Sequence, residues 1–216
     1  MVPLQPAAGA VVAAGGGFAI LVLEIVGARY LARDFGSSFY VWVSQIGVVM
    51  IALALGYYVG GALADRWQRP GLLAWLLWPT GVFVFAIPWL APPVLEALVN
   101  RHPPDEPIAP IWQKLDPALG SAVIFLWPCF VLAMLSPYFI RLTSRHLAHV
   151  GRISGLIIAA STVGSIAGVF AAGYLLVDLM ALSTIFRWTG VGVFLLGIAC
   201  WWLDPGATLP EKRSLT

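Results

Sequence analysis

The feature that most constrains this chain is a run of 25 residues, 153–177, without one charged side chain. Two more charge-free runs cover 71–91 and 118–140. A bilayer crossing needs about 20 mostly apolar residues, and six stretches qualify: 9–32, 39–63, 71–91, 118–140, 153–177 and 183–203. Composition agrees, with 60% hydrophobic and 10% charged residues against about 25% charged in an average soluble domain. Mean hydropathy is +0.90. So few charges cannot cover the surface of a soluble fold of 216 residues. The spans must be helical, because open strands would leave backbone groups unpaired in hydrocarbon, and the alternation of barrel strands is absent. The expected fold is therefore an all-α integral membrane protein, with little chain left over for a soluble catalytic domain.

Other global features narrow the reading further. The formal charge of +2 gives no basic surface dense enough for nucleic acid. Cys129 and Cys200 lie inside apolar stretches without CxxC spacing, so each reads as a small hydrophobe. No Lys or Arg precedes Arg29, so the first segment lacks the n-region of a cleaved signal and reads as a retained helix. Six spans place both ends on one side. With the N-terminus inside, the cytoplasmic segments hold Arg66, Arg69, Arg141, Arg145, Arg152, Lys212 and Arg213, against Arg29, Arg33, Arg101, Lys114 and Arg187 outside. That bias favours N-in, C-in. Trp67, Trp89, Trp188, Trp201 and Trp202 fit interfacial anchoring. The segment 92–117 holds seven of the sixteen prolines and is expected to be an outer loop with a short interfacial helix over 94–100. Residues 204–216 form a short polar tail.

The two halves of the chain resemble each other. The first span ends in Arg29 to Arg33 and the fourth in Arg141 to Arg145. The second carries small residues at Ala52, Gly56, Gly60 and Ala64, the fifth at Ala160, Gly164, Gly168 and Ala172. The third and sixth share Thr80-Gly81-Val82 and Thr189-Gly190-Val191. Three helices per repeat cross the membrane in opposite senses, which gives a 3+3 inverted repeat. Small residues four apart let helix backbones approach closely. Tight packing inside the bundle is the preferred reading of the ladders, and a homodimer seam is the alternative.

Glu24 is the chemically informative residue. An acid that deep in a span costs about 3 kcal/mol, so it needs a partner or a task. Gly17, Gly27 and Ala28 share its face. Arg29 is five residues on, off the ideal i+4 position, so Gln45 of the second span is the candidate partner. A cation or proton site and a structural hydrogen bond between helices both remain open. His146 and His149 lack a third ligand, and Gly15-Gly16-Gly17 is not followed by the strand and helix of a phosphate loop. No Ser/His/Asp or Cys/His set converges, so neither enzyme activity nor a metal or cofactor is expected. His102, Asp105 and Glu106 read as a solvated loop.

The run from Gly61 through Asp65 and Arg66 to Arg69 resembles the Gly-x-x-x-Asp-Arg-x-x-Arg signature between helices 2 and 3 of the major facilitator superfamily, with Gln68 where that family usually has Gly and Pro70 where it has a basic residue. In that family the Asp engages Arg and helix-terminal groups on the cytoplasmic side and stabilises one conformation, which implies gating. A wider set resembles the membrane module of the bacterial fused major-facilitator/spermidine-synthase proteins: Glu24-Ile25, Arg29, Phe35-Gly36-Ser37-Ser38, Leu55 to Arg69, Ser136-Pro137, Ile140-Arg141-Leu142, and Val150-Gly151-Arg152 into Ser161-Thr162-Val163-Gly164-Ser165. The likeness covers most of residues 15–175. It implies half of a transporter fold, and the glycines and aspartates of the soluble synthase domain have no counterpart. The function expected from it is a transporter-like module that pairs with a second copy to carry a small, polyamine-like cation. The alternative is a scaffold or accessory subunit that docks a separate enzyme or joins other membrane subunits. The expected partners are the lipid bilayer and a second copy or another subunit, with no nucleic acid.

Overall fold

The structure is a computed structural model that describes residues 5–103, 108–144 and 150–204. The described residues are helical, with no strand. They form α1 (Pro6–Phe35), α2 (Phe39–Arg66), α3 (Gly71–Val99), α4 (Pro110–Ala133), α5 (Leu135–Thr143), α6 (Val150–Ala171), α7 (Val177–Leu179) and α8 (Leu182–Trp202). Grouped by continuity, they give six helical segments long and apolar enough to cross a bilayer. The chain is thus a multi-pass, all-α membrane protein. Large apolar side chains such as Tyr58, Val163 and Leu195 stand exposed around it, as a lipid-facing surface requires.

Local chemistry explains the punctuation. Pro6 opens α1, where its missing N–H costs nothing. Gly36 closes α1 at φ 78, a backbone conformation that glycine adopts without a Cβ penalty. The fourth span breaks at Met134, between α4 and α5. Pro137, three residues on, has no N–H to give the carbonyl of Ala133. Within the fifth span a π-helical turn, Ala172–Leu176, joins α6 to α7. An extended Met180 then turns the chain into α8.

The segment 92–117 departs from the sequence expectation. α3 continues through Pro79, Pro88, Pro92 and Pro93 to Val99, so 94–100 is its last two turns and not a separate interfacial helix. Adjacent prolines this near a helix end remove only two hydrogen bonds, and both keep helical φ. α4 begins at Pro110, so the connection shrinks to 100–109. Of these residues 104–107 lie outside the described ones, as do 145–149 and 205–216.

Three helix pairings organise the bundle: α1 with α6, α2 with α4, and α3 with α8. Each closes on glycine. A Cβ on Gly164 would strike the carbonyl oxygen of Ala14, and one on Gly168 would lie 2.5 Å from that of Phe18. Gly56 faces the Phe130 carbonyl in the same way, and Gly60 would meet Met134 Cα at 2.7 Å. At the third crossing Gly81 and Gly190 face each other, each hypothetical Cβ within 2.8 Å of the other's carbonyl oxygen. Ala52, Ala64 and Ala172 are buried, and Ala160 is partly so. The glycines of both ladders are therefore used inside the bundle. α1 and the fourth span are the most enclosed segments, and Phe125, Phe186 and Tyr30 meet edge and face between them.

Gly164→Ala should lower the thermal unfolding midpoint in detergent, by an amount equivalent to about 1–3 kcal/mol of overpacking. Gly155→Ala, whose Cβ has open space around it, should leave the midpoint unchanged or raise it. Equal midpoints for the two variants would show that α1 and α6 do not close on Gly164.

Candidate functional site

Glu24 is 18 residues after Pro6 in the 30-residue α1, about 5 Å past its midpoint at 1.5 Å per residue. It is half-buried, and it forms no hydrogen bond or ion pair among the described residues. The buried Cys129 of α4 is within electrostatic range of its carboxyl. The expected partner, Gln45, goes elsewhere. Its side chain is fully buried and lies against Gly27, where a Cβ would sit 2.7 Å from Nε2. Ser121 Oγ donates to Gln45 Oε1 at 2.7 Å, while Gln45 Nε2 has no partner. Gly27, Gln45 and Ser121 thus form a polar layer across α1, α2 and α4, in which one amide nitrogen has no partner among the described residues, and Glu24 lies one turn before Gly27 on α1. Ser121 was not distinguishable by sequence, because a serine in an apolar helix has no spacing signal.

The signature residues gather at the bundle end that holds 67–70. Asp65 accepts from Arg141 Nε, tying the end of α2 to the end of α5. Both groups are largely exposed, so the pair contributes about 0–1 kcal/mol. Arg66 lies over Trp67 at 4.9 Å, and Gly61 has open space where a Cβ would be. Arg69 takes part through its carbonyl: the Tyr138 hydroxyl donates to it at 2.9 Å and also to the carbonyl of Trp67. Asp204, after α8, accepts from Gly71 N at 3.1 Å at the start of α3, where the helix dipole favours an anion. Tyr138 and Asp204 give this end most of its definition and carry no motif that reveals them in sequence.

At the opposite end, Asp116 of α4 is buried and accepts from Arg101 and from His102, the latter at 2.7 Å. Arg101 also stacks over Trp112 at 4.2 Å. His102 is therefore half of a carboxylate clamp rather than a solvated loop residue. The clamp closes the connection between the third and fourth spans, and a buried carboxylate paired with an arginine and hydrogen-bonded to a histidine is a structural element. Arg29 stands apart from Glu24, in a cleft of about 880 Å3 with Arg33. Arg145, His146 and His149 lie outside the described residues, and no group of three potential metal ligands occurs among the described ones.

Geometry and composition define a polytopic membrane bundle. Compared with protein-family models, with curated proteins and with solved structures, the chain finds no match.

Asp116→Asn should destabilise the protein by about 3 kcal/mol, since removing one side of a buried pair leaves the other uncompensated. The double variant Arg101→Gln/Asp116→Asn should be less destabilised than the sum of its parts. A double-mutant cycle on thermal midpoints checks this, and additivity would mean that the pair is not coupled.

Proposed function

We propose that this chain is a transporter-like module, one half of a major-facilitator type of carrier built as a 3+3 inverted duplication. It pairs with a second six-helix unit to move a small cation, and Glu24 is the group that binds the cation or the coupling proton. The observation that carries this reading is Glu24 itself. It stands deep in α1, one of the two most enclosed spans, with no hydrogen bond or ion pair among the described residues, and one turn before Gly27, against which the amide of Gln45 lies. Unpaired intramembrane carboxylates are costly and mark ion or proton paths.

The pairing pattern supports the duplication. Exchanging the first three spans with the last three turns the α1–α6 crossing into the α4–α2 crossing and maps the α3–α8 crossing onto itself. Gly81 lies 2.8 Å, by its hypothetical Cβ, from Phe194 N, and Gly190 lies 2.5 Å from Phe85 N. Thr80 and Thr189 each bond back to the carbonyl four residues earlier, at 2.7 and 2.8 Å. The Asp65–Arg141 contact supports the gating role that its motif implies. The likeness to the membrane module of the fused spermidine-synthase proteins favours a polyamine as the cation, and the inner membrane with both termini in the cytoplasm is the matching location.

Purified protein in proteoliposomes should accumulate labelled spermidine or move protons, read with an entrapped pH dye. Glu24→Gln should abolish the flux while keeping a monodisperse elution profile. Flux indifferent to that change removes Glu24 from the path, and no flux from the wild type under either ion gradient overturns the carrier reading.

A further inference from the structure

Two hollows on the flank of the bundle share a wall. The first, about 880 Å3, lies at the Arg29 end and is lined by Arg29, Arg33, Trp42, Gly173 and Met180 among others. The second, about 450 Å3, is lined by Gly15, Phe18, Leu176, Met180, Ile185 and Gly192 among others. Met180 borders both. On α1 the contributing positions run Gly15, Phe18, Ala19 and then Ile25, Arg29, Ala32, Arg33, spaced along one helical stripe. On α8 they run Leu182, Ile185, Thr189, Gly192, Leu196, again one stripe. The π-helical turn and α7 supply the third side, with Gly173 on the first hollow and Leu176 on the second. A π turn widens a helix locally, and such turns are frequent at binding sites.

The two compartments differ in chemistry. The first carries two cations and no acidic side chain in its lining. Arg33 is partly balanced, since it sits over the Tyr30 ring at 5.6 Å and feels the neighbouring Asp34. Arg29 has no ion pair or hydrogen bond among the described residues. The second compartment is lined by apolar groups, with Thr189 as the exception, and Thr189 spends its hydroxyl on its own helix. Gly15 and Arg29 are 14 residues apart on α1, nearly four turns and about 21 Å. That length is comparable to an acyl chain with its headgroup, and it takes the groove from the Arg29 end of α1 past the middle of the helix.

We propose that the two hollows form one binding site for an anionic phospholipid, its phosphate between Arg29 and Arg33 and one acyl chain in the groove between α1 and α8. Charge complementarity selects the headgroup. A cationic cleft that adjoins an apolar slot across Met180 fits an amphiphile better than a free anion, which leaves the slot empty. The site is independent of Glu24, so it holds whether or not the protein is a carrier.

Native mass spectrometry of the purified protein with equal amounts of phosphatidylglycerol and phosphatidylcholine, matched in their chains, tests this. The wild type should retain phosphatidylglycerol preferentially. Arg29→Gln/Arg33→Gln should lose about 30-fold of that preference, the effect of two basic side chains at an anionic lipid, and Arg29→Lys/Arg33→Lys should keep most of it. Gly192→Phe fills the slot from a position where a Cβ meets nothing within 4 Å. It should lower occupancy by both lipids without disturbing the fold. Equal retention of the two lipids by the wild type overturns the site. Occupancy untouched by Gly192→Phe, together with displacement of the lipid by inorganic phosphate alone, identifies a free-anion cleft and overturns the lipid assignment.

Discussion

In hydrocarbon, two helices gain little by placing leucine against leucine, because the lipid tails they displace are as apolar as they are. What remains is the closeness of the backbones. Here that closeness is concentrated at three crossings, where Gly164 and Gly168 receive α1, Gly56 and Gly60 receive the fourth span, and Gly81 and Gly190 receive each other. The third crossing would separate if either glycine gained a side chain, because each hypothetical Cβ points at the partner's backbone. The placement of Gln45 follows from the same rule. Its amide occupies space that a side chain at position 27 would otherwise take, so the polar layer exists because α1 carries a glycine there.

Polar groups inside the span divide by what they cost. Ser121 and Gln45 satisfy one another in part. Thr80, Thr143 and Thr189 return their hydroxyls to their own helices, so they add no demand on the bundle. Asp116 is buried but paired with Arg101 and hydrogen-bonded to His102. Glu24 is a carboxyl deep within a span that has no hydrogen bond or ion pair among the described residues. An insertion cost of about 3 kcal/mol is comparable to a sizeable part of a domain's net stability, and a helix of alanine, valine and glycine around it would pack equally well with a glutamine. The protein bears that cost without a structural return, which is the physical reason to look for function at this residue.

The spans were legible because hydropathy is a property of the solvent that the chain must meet, and each segment carries it independently of its neighbours. Boundaries were legible to within a few residues where charges end a helix, as at Arg66 and Thr143, and misread where prolines suggested a loop. Pro92 and Pro93 signal a break in isolation, but a helix packed against α8 and, at Leu95, against Gly120 of α4 absorbs two lost bonds near its end. The candidate site was legible only as single residues. Sequence pointed to Glu24 and Gln45 separately and could join them only by proximity along the span. It could not see that Gln45 would turn to Gly27 and Ser121. The Asp116 clamp, Tyr138 and Asp204 depend on which helices adjoin, and no periodicity carries that information.

The distribution of strong and weak contacts also decides how this bundle can move. Backbone-to-backbone crossings at glycine have no slack, since a shift of one helix places a carbonyl where no atom fits. The links at the 67–70 end are of another kind: an exposed ion pair worth about 0–1 kcal/mol, hydroxyl bonds from one tyrosine, and the bond from Gly71 N to Asp204. Such contacts can exchange for equivalent ones on another surface at little cost. Internal rearrangement of the six spans is therefore the expensive motion, and displacement of the whole bundle against something outside it is the inexpensive one. A single six-helix unit with rigid crossings cannot alternate access to Glu24 by bending. In the carrier proposed above, the moving surface therefore has to come from a second unit.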